Sequence, residues 1–451
     1  MKGYKTRVLS ALTGTTIVAT VAVLVFGVAT TSATVPYNNE LVSRDSSGNL
    51  ENGDAQGYGG NQVSTSADGR YVAFVSGATN LVSGDTNGNP DLFVKDRQTG
   101  NIVRASLDSS GAQVNDPGIA GFKISANGRF AVFTGKTYYF GGGSSPLFSV
   151  YLRDLQNNTT ELISKNTSGN PGNANSNAPD ISADGRYVAF TSSATDLVSS
   201  DTNGYSDIFV RDRLAGITTL VSKSTTGVQG NAVVAPASIS CDGAYVVFNT
   251  SATNLVPGDT NGYPDTFLVD RINGTTTDLT LSGNGSSSLS STPQISCDGS
   301  TVVFESDASN LVSGDTNSLP DVFAYDMYSG NIERINASSS GAQATDYGVT
   351  FNGGDFSVSF TGRYIAFDTL SSQMTTGDSN AKVDVFLRDR QAGTTEIVSK
   401  RDASTQTTTP NYGPFISADG RHIAYYSTDT GLVSGDTNGK ADIFMSDTGI
   451  N

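Results

Sequence analysis

One unit, written seven times along the chain, limits what this sequence can fold into. It reads I-S-A-D-G-R-Y-V-A-F, then a loop D-T-N-G-x-x-D, then I-F-V-R-D-R-x-x-G, then T-x-L-V-S. The residue before the first glycine of each unit is Asp68, Asn127, Asp184, Asp242, Asp298, Thr361 and Asp419, a period of about 58 residues. Each unit offers four short runs of alternating apolar residues with no helical period; in the third they are Pro179–Ser182, Arg186–Thr191, Asp207–Arg211 and Thr218–Ser222. These are strands a, b, c and d.

The links between runs carry turn chemistry. The a–b link is Asp-Gly in five units and Asn127-Gly128 or Thr361-Gly362 in the others, which predicts two-residue hairpins with positive φ and antiparallel pairing. The c–d link starts at Asp and reaches Gly four residues on, as in Asp212 and Gly216. After Asp154 the glycine is replaced by Asn158, the residue that best tolerates a left-handed backbone.

A lone four-stranded unit cannot bury both of its faces, whereas seven stacked radially share a continuous core. The sequence therefore predicts an all-β fold, a seven-bladed β-propeller of four-stranded antiparallel blades spanning 34–451. The seventh unit stops after strand c, and Glu40-Leu-Val-Ser-Arg44 reads as a strand d ahead of the first unit. The N-terminal strand is expected to complete the last blade and close the ring, in a protein expected to be a monomer.

The stretches I-S-A-D-G-R-Y-V-A-F at 181–190 and D-I-F-V-R-D at 207–212 resemble the TolB-like β-propeller repeat, a relative of WD-repeat propellers. The resemblance spans roughly 40–451 and implies the propeller fold. TolB itself would imply six blades and a separate N-terminal α/β domain, for which the few residues between Ala33 and Glu40 leave no room. The Trp-Asp signature of WD repeats is also missing, because the chain has no Trp. Function has to come from sites rather than from the fold.

Residues Met1 to Arg7 are basic, Ile17 to Val28 are strongly apolar, and Thr30, Thr31, Ser32 and Ala33 are small. Residues 1–33 are read as a signal peptide cleaved after Ala33 or as an uncleaved anchor with 8–29 in the membrane. Both readings place the propeller outside the cytoplasm: secreted, periplasmic, or anchored and facing outward. A formal charge of −16 repels phosphates and excludes nucleic acid as a partner. One His and two Cys leave little material for His-based acid–base chemistry or zinc.

In a four-stranded meander the b–c and d–a connections share one face, here the long-loop face. Six units place an acidic b–c loop there: Asp85, Asn87 and Asp91; Asp201, Asn203 and Asp207; Asp259, Asn261 and Asp265; Asp315, Asn317 and Asp321; Asp378, Asn380 and Asp384; Asp436, Asn438 and Asp442. Oxygen ligands at loop positions 1, 3 and 7 suit a hard cation, Ca²⁺. The same residues suit side-chain turns to their own backbone, and both readings stay open. Ser318 and Ala381 replace the loop glycine, which implies that left-handed freedom is not essential there.

The second unit replaces this loop with one containing Tyr138, Tyr139 and Phe140, which suit contact with a sugar or protein ligand and equally suit packing against a neighbouring blade; both readings stay open. His422 stands where other units have Tyr71, Tyr187, Tyr245 and Tyr364, a strand position rather than a catalytic one. Cys241 and Cys297 share one place in neighbouring units, where a small side chain fits with or without a disulfide. The expected function is an exported binding module for a protein or glycan on the long-loop face, stabilised by Ca²⁺. The alternatives are an extracellular carbohydrate-active glycosidase or lyase, and a structural cell-envelope protein.

Overall fold

The computed structural model describes residues 38–55, 63–116, 118–140, 146–281, 283–287, 291–317, 319–346, 356–402 and 404–450; the signal or anchor expected at 1–33 lies outside them. Among the described residues every regular element is a strand, and the strands form seven four-stranded antiparallel sheets. Blade 1 comprises Val63–Thr65, Tyr71–Ser76, Asp91–Asp96 and Ile102–Arg104. Blades 2 to 6 occupy 120–162, 176–220, 234–278, 294–334 and 356–397. Blade 7 takes Asn411–Ile416, His422–Ser427 and Asp442–Asp447 from the C-terminus, and Asn38–Leu41 pairs antiparallel with Asp442–Asp447 as its fourth strand.

That strand starts two residues before Glu40 and ends at Leu41, for a reason common to all blades. The Ser43 hydroxyl, not a backbone carbonyl, accepts the next ladder hydrogen bond from Ile443 N. Ser222 does the same for Ile208, and Ser399 for Val385. The final Ser of T-x-L-V-S is thus the point where a side chain takes over from the strand.

Strand a of each blade lies beside strand a of the next, and the cycle returns from blade 7 to blade 1. The a–b turns of successive blades are joined by a belt of backbone hydrogen bonds of 2.8–3.4 Å: Ala67 N to Ala126 O, Asn127 N to Ala183 O, Ala183 N to Cys241 O, Cys241 N to Cys297 O, Asp298 N to Phe360 O, Phe360 N to Ala418 O, and Ala418 N back to Ala67 O. The central channel is lined by residues from all seven a strands. Cys241 and Cys297 are disulfide-bonded within this belt, with Cα atoms 4.6 Å apart. The close approach of neighbouring turns at the channel brings them within bonding range.

Each blade has an aromatic pair directly opposed on strands b and c, for example Phe190 with Phe209 at 5.8 Å and Phe248 with Phe267 at 6.0 Å. Between blades the repeat packs a side chain on a turn glycine. Tyr187 covers Gly243, Tyr245 covers Gly299, and at the closing seam His422 covers Gly69. Burial lowers the pKa of that imidazole. The Arg after the glycine forks onto the Asp that begins the c–d turn: Arg186 donates from Nε and Nη2 to Asp212, at 3.1 and 2.8 Å, while lying 4.7 Å over Tyr187. The D-G-R-Y and V-R-D segments of the repeat are therefore one contact.

The a–b turns are not the two-residue hairpins expected. Ser182 N bonds Tyr187 O and Gly185 N bonds Ser182 O, which leaves a four-residue loop with positive φ at Gly185 and not at Asp184. Asp184 instead accepts from Ser182 Oγ and Arg186 N, so its carboxylate shapes the turn. Asn158 adopts the left-handed backbone expected of it, with φ 56°.

The d–a links reach across to the outer strand of the following blade. Thr160, Thr218, Thr276 and Thr395 each donate a hydroxyl to a carbonyl of the preceding link, at Leu107, Lys165, Lys223 and Ala337. These clasps cover strand edges that otherwise invite pairing with other chains.

At the closing seam a buried carboxyl pair joins the two ends of the chain. Glu51 accepts from Ser76 Oγ and lies close to Asp442. Burial, and then the neighbouring Asp442, raise the pKa of Glu51 far above its ordinary 4.5. The folded state therefore holds a proton that the unfolded chain releases, so this contribution to stability is complete below pH 4.5 and declines as pH rises. The melting temperature should fall by several degrees between pH 5 and 8, and Glu51→Gln should flatten that slope; an equal slope in both proteins refutes the assignment. Gly243→Ala, which sets a methyl against Tyr187 at φ +72°, should destabilise the fold by about 3 kcal/mol in denaturant titration.

Candidate functional site

The long-loop face is built from the b–c loops, and their repeated residues have repeated partners. In all six acidic loops the Asn Oδ1 accepts from the backbone N–H two residues on, as Asn203 does from Tyr205 and Asn380 from Lys382. The amide nitrogens of Asn87, Asn203, Asn317, Asn380 and Asn438 donate to carbonyls of the neighbouring link. The carboxylates at position 7, Asp91, Asp207, Asp265, Asp321, Asp384 and Asp442, accept from the residue that ends strand d: Ser106, Ser222, Thr280, Asn336, Ser399 and Ser43. Burial raises Asp207 and Asp384 to about 6 each.

The carboxylates at position 1 differ from blade to blade. Gln113, Gln229 and Gln406 of the links donate to Asp85, Asp201 and Asp378, at 2.9, 3.2 and 3.2 Å. In blade 1 Arg104 Nη1 lies 3.3 Å from Asp85 and 3.1 Å from Asp91, bridging positions 1 and 7. In blade 5 Arg334 Nη1 lies 3.5 Å from Asp315 and 3.4 Å from Asp321. The same place on strand d holds Leu220 in blade 3, Ile397 in blade 6 and Leu41 in blade 7. In blade 7 Asp436 Oδ1 is buried without a hydrogen-bond partner.

Blade 4 puts Asp278 there. One carboxylate oxygen each from Asp259, Asp265 and Asp278 lies within 4.8 Å of the others, the one such acidic group among the described residues. Asp278 is pushed up to about 7 by burial first and by Asp265 next. Sequence reasoning missed Asp278, although the signal was present: a charge occupies the leucine place of T-x-L-V-S. Asn261, expected to offer an oxygen, instead turns its amide nitrogen to Asp265, at 3.1 Å.

In blade 2 the aromatic loop divides. Tyr138 is 60% exposed, while Tyr139 packs edge-on against it at 4.9 Å. Phe140, expected as a ligand contact, is a core residue between Phe133 and Tyr151, at 5.2 and 4.7 Å. Gly135 makes this possible, because a Cβ at that position would occupy the space of the Phe140 ring. Tyr205 and Tyr263, at the tips of the b–c loops of blades 3 and 4, are 42% and 45% exposed. The face thus carries an exposed tyrosine in each of three consecutive blades.

No family model and no curated protein matches the chain. Among solved structures it is similar to an oligogalacturonate lyase from Vibrio parahaemolyticus, at 13% identity and TM-score 0.53 over 91% of this chain and 96% of that one. It is also similar to the β-propeller domain of the Trilobed protease from Pyrococcus furiosus, described as having an open velcro topology, at 10% identity and TM-score 0.50 over 87% and 95%. A putative TolB from Agrobacterium tumefaciens aligns at 19% identity and TM-score 0.37 over 66% and 87%. By repeat and architecture the chain is a seven-bladed β-propeller. The likeness is one of fold alone.

The loop glycine position does require a left-handed backbone, contrary to the expectation drawn from its replacements. Gly204 and Gly262 have φ of 73° and 71°, and Ala381 is held at 53°. Ala381→Gly should therefore stabilise the protein by about 1 kcal/mol in denaturant titration, and an unchanged midpoint excludes strain at this residue.

Proposed function

We propose that this protein is an exported binding module whose long-loop face takes a protein or glycan ligand, with Tyr138, Tyr205 and Tyr263 as its contacts. The observation that carries this reading is the exposure of those three rings at the loop tips of blades 2, 3 and 4. A phenol ring presented on a rigid scaffold offers an apolar face for stacking and a hydroxyl for hydrogen bonding, at little cost in side-chain entropy. The corresponding residues of blades 1, 5, 6 and 7 are Asn89, Leu319, Lys382 and Lys440, so the aromatic surface is confined to one arc of the ring.

Export is supported by the basic, apolar and small-residue order of the first 33 residues. The Cys241–Cys297 disulfide fits the same compartment, since such bonds persist in oxidising surroundings. His422 is engaged at a blade seam, and the position-7 carboxylates share one kind of hydroxyl or amide donor. These features support binding over turnover.

A glycan array followed by titration calorimetry of the best ligand tests the reading. Replacing Tyr138, Tyr205 and Tyr263 together by Ala should weaken binding by at least about 100-fold without changing the melting temperature. Replacing Leu214, Ile272 and Tyr328, exposed on the opposite face, should leave it unchanged. Undiminished affinity in the tyrosine variant rules out this surface, and cleavage of a bound polysaccharide moves the protein to the enzymes.

A further inference from the structure

Blade 4 departs from the other blades at three adjoining places on the long-loop face. Its link has no glutamine to donate to the first carboxylate of the b–c loop. Its Asn261 donates the amide nitrogen to Asp265, as Asn380 does to Asp384, but among the described residues it reaches no carbonyl of the link. Its strand d brings a third carboxylate, Asp278, to the position where Arg104 and Arg334 insert a guanidinium between two carboxylates in blades 1 and 5.

The result is a pocket of carboxylates in which two oxygens have nothing to bind. Asp259 is 6% exposed, and its Oδ1 is buried without a hydrogen-bond partner; Asp278 Oδ2 is likewise buried and unpaired. The remaining oxygens are oriented by neighbours. Asp265 Oδ1 accepts from Thr280 Oγ1 at 2.8 Å, and Asp278 Oδ1 accepts from Thr280 N at 2.8 Å. These bonds hold the two strand carboxylates in place, with one oxygen of each within 4.8 Å of one from Asp259.

We propose that Asp259, Asp265 and Asp278 bind one Ca²⁺ ion, whichever ligand the long-loop face takes. Oxygens on opposite sides of a bound Ca²⁺ stand about 5 Å apart, so three carboxylate oxygens within 4.8 Å of one another fall inside one coordination shell. Backbone carbonyls and water supply the rest of such a shell in known sites. Blades 1 and 5 answer the same demand for positive charge with their own arginine, and blades 3 and 6 pair the first carboxylate with glutamine. Blade 7 also has an additional acid, Glu51, which accepts from Ser76 Oγ, but among the described residues its carboxylates do not come together as those of blade 4 do.

The test uses the full chain, stripped with chelator and titrated with CaCl₂ by calorimetry, with Tb³⁺ luminescence as a second probe. The expected result is one ion per chain with a Kd below about 1 mM, and a rise in melting temperature on addition of Ca²⁺. Asp278→Leu, which copies blade 3, should abolish uptake. Asp278→Asn, the milder change should the leucine variant fail to fold, should weaken it at least tenfold. Asp201→Asn in blade 3 should leave both stoichiometry and affinity unchanged. A stoichiometry near six, no uptake at about 10 mM Ca²⁺, or equal loss in the Asp201 and Asp278 variants overturns the site. None of these readouts depends on the tyrosines, so this proposal and the ligand-binding reading stand or fall separately.

Discussion

The structure depends on the hydrogen-bonded belt that runs from turn to turn around the channel and returns to its start. Each blade meets its neighbour through one backbone bond there, worth about 1 kcal/mol, and through a side chain seated on a glycine. None of these contacts holds a blade in place alone. Closure makes them collective, because displacing one blade opens two seams. The N-terminal strand matters for this reason: its Leu41 and Val42 are buried in the last blade, and Glu51 extends the join to the first.

The repeat made the ring legible. Period, strand count per unit, missing last strand and its replacement at the N-terminus all follow from the position of Asp-Gly and of T-x-L-V-S in each unit. Turn geometry was less legible, because Asp-Gly has two uses. In a two-residue hairpin both residues take positive φ, whereas here Asp184 spends its carboxylate on Ser182 and Arg186 and leaves only the glycine left-handed. The loop glycine misled in the opposite way: a replacement by Ala suggested freedom, and the structure shows Ala381 held in the same conformation as the glycines.

The candidate sites lie where the repeat is broken, and a consensus hides such places. Phe140 reads in sequence as one of three neighbouring aromatic loop residues, yet Gly135 opens a berth for it in the core. Asp278 was overlooked because attention to the D-T-N-G loop stops short of strand d, which delivers the third carboxylate from outside the motif. Tyr205 and Tyr263 stand in plain sequence view within two of the loops, but their exposure depends on the Asn turn beneath them, a geometric fact.

The first strand begins at Asn38, opposite Asp447, at the end of strand c from which the other blades make their short c–d turn. The tyrosines sit on loops at the other ends of the strands. A tether joined to the propeller at that entry point pulls from the rear of the disc, and the aromatic arc is turned toward whatever lies in front. Entry of the chain and the aromatic arc thereby fall on different sides, by the simple fact that the ring is fastened with its own first strand.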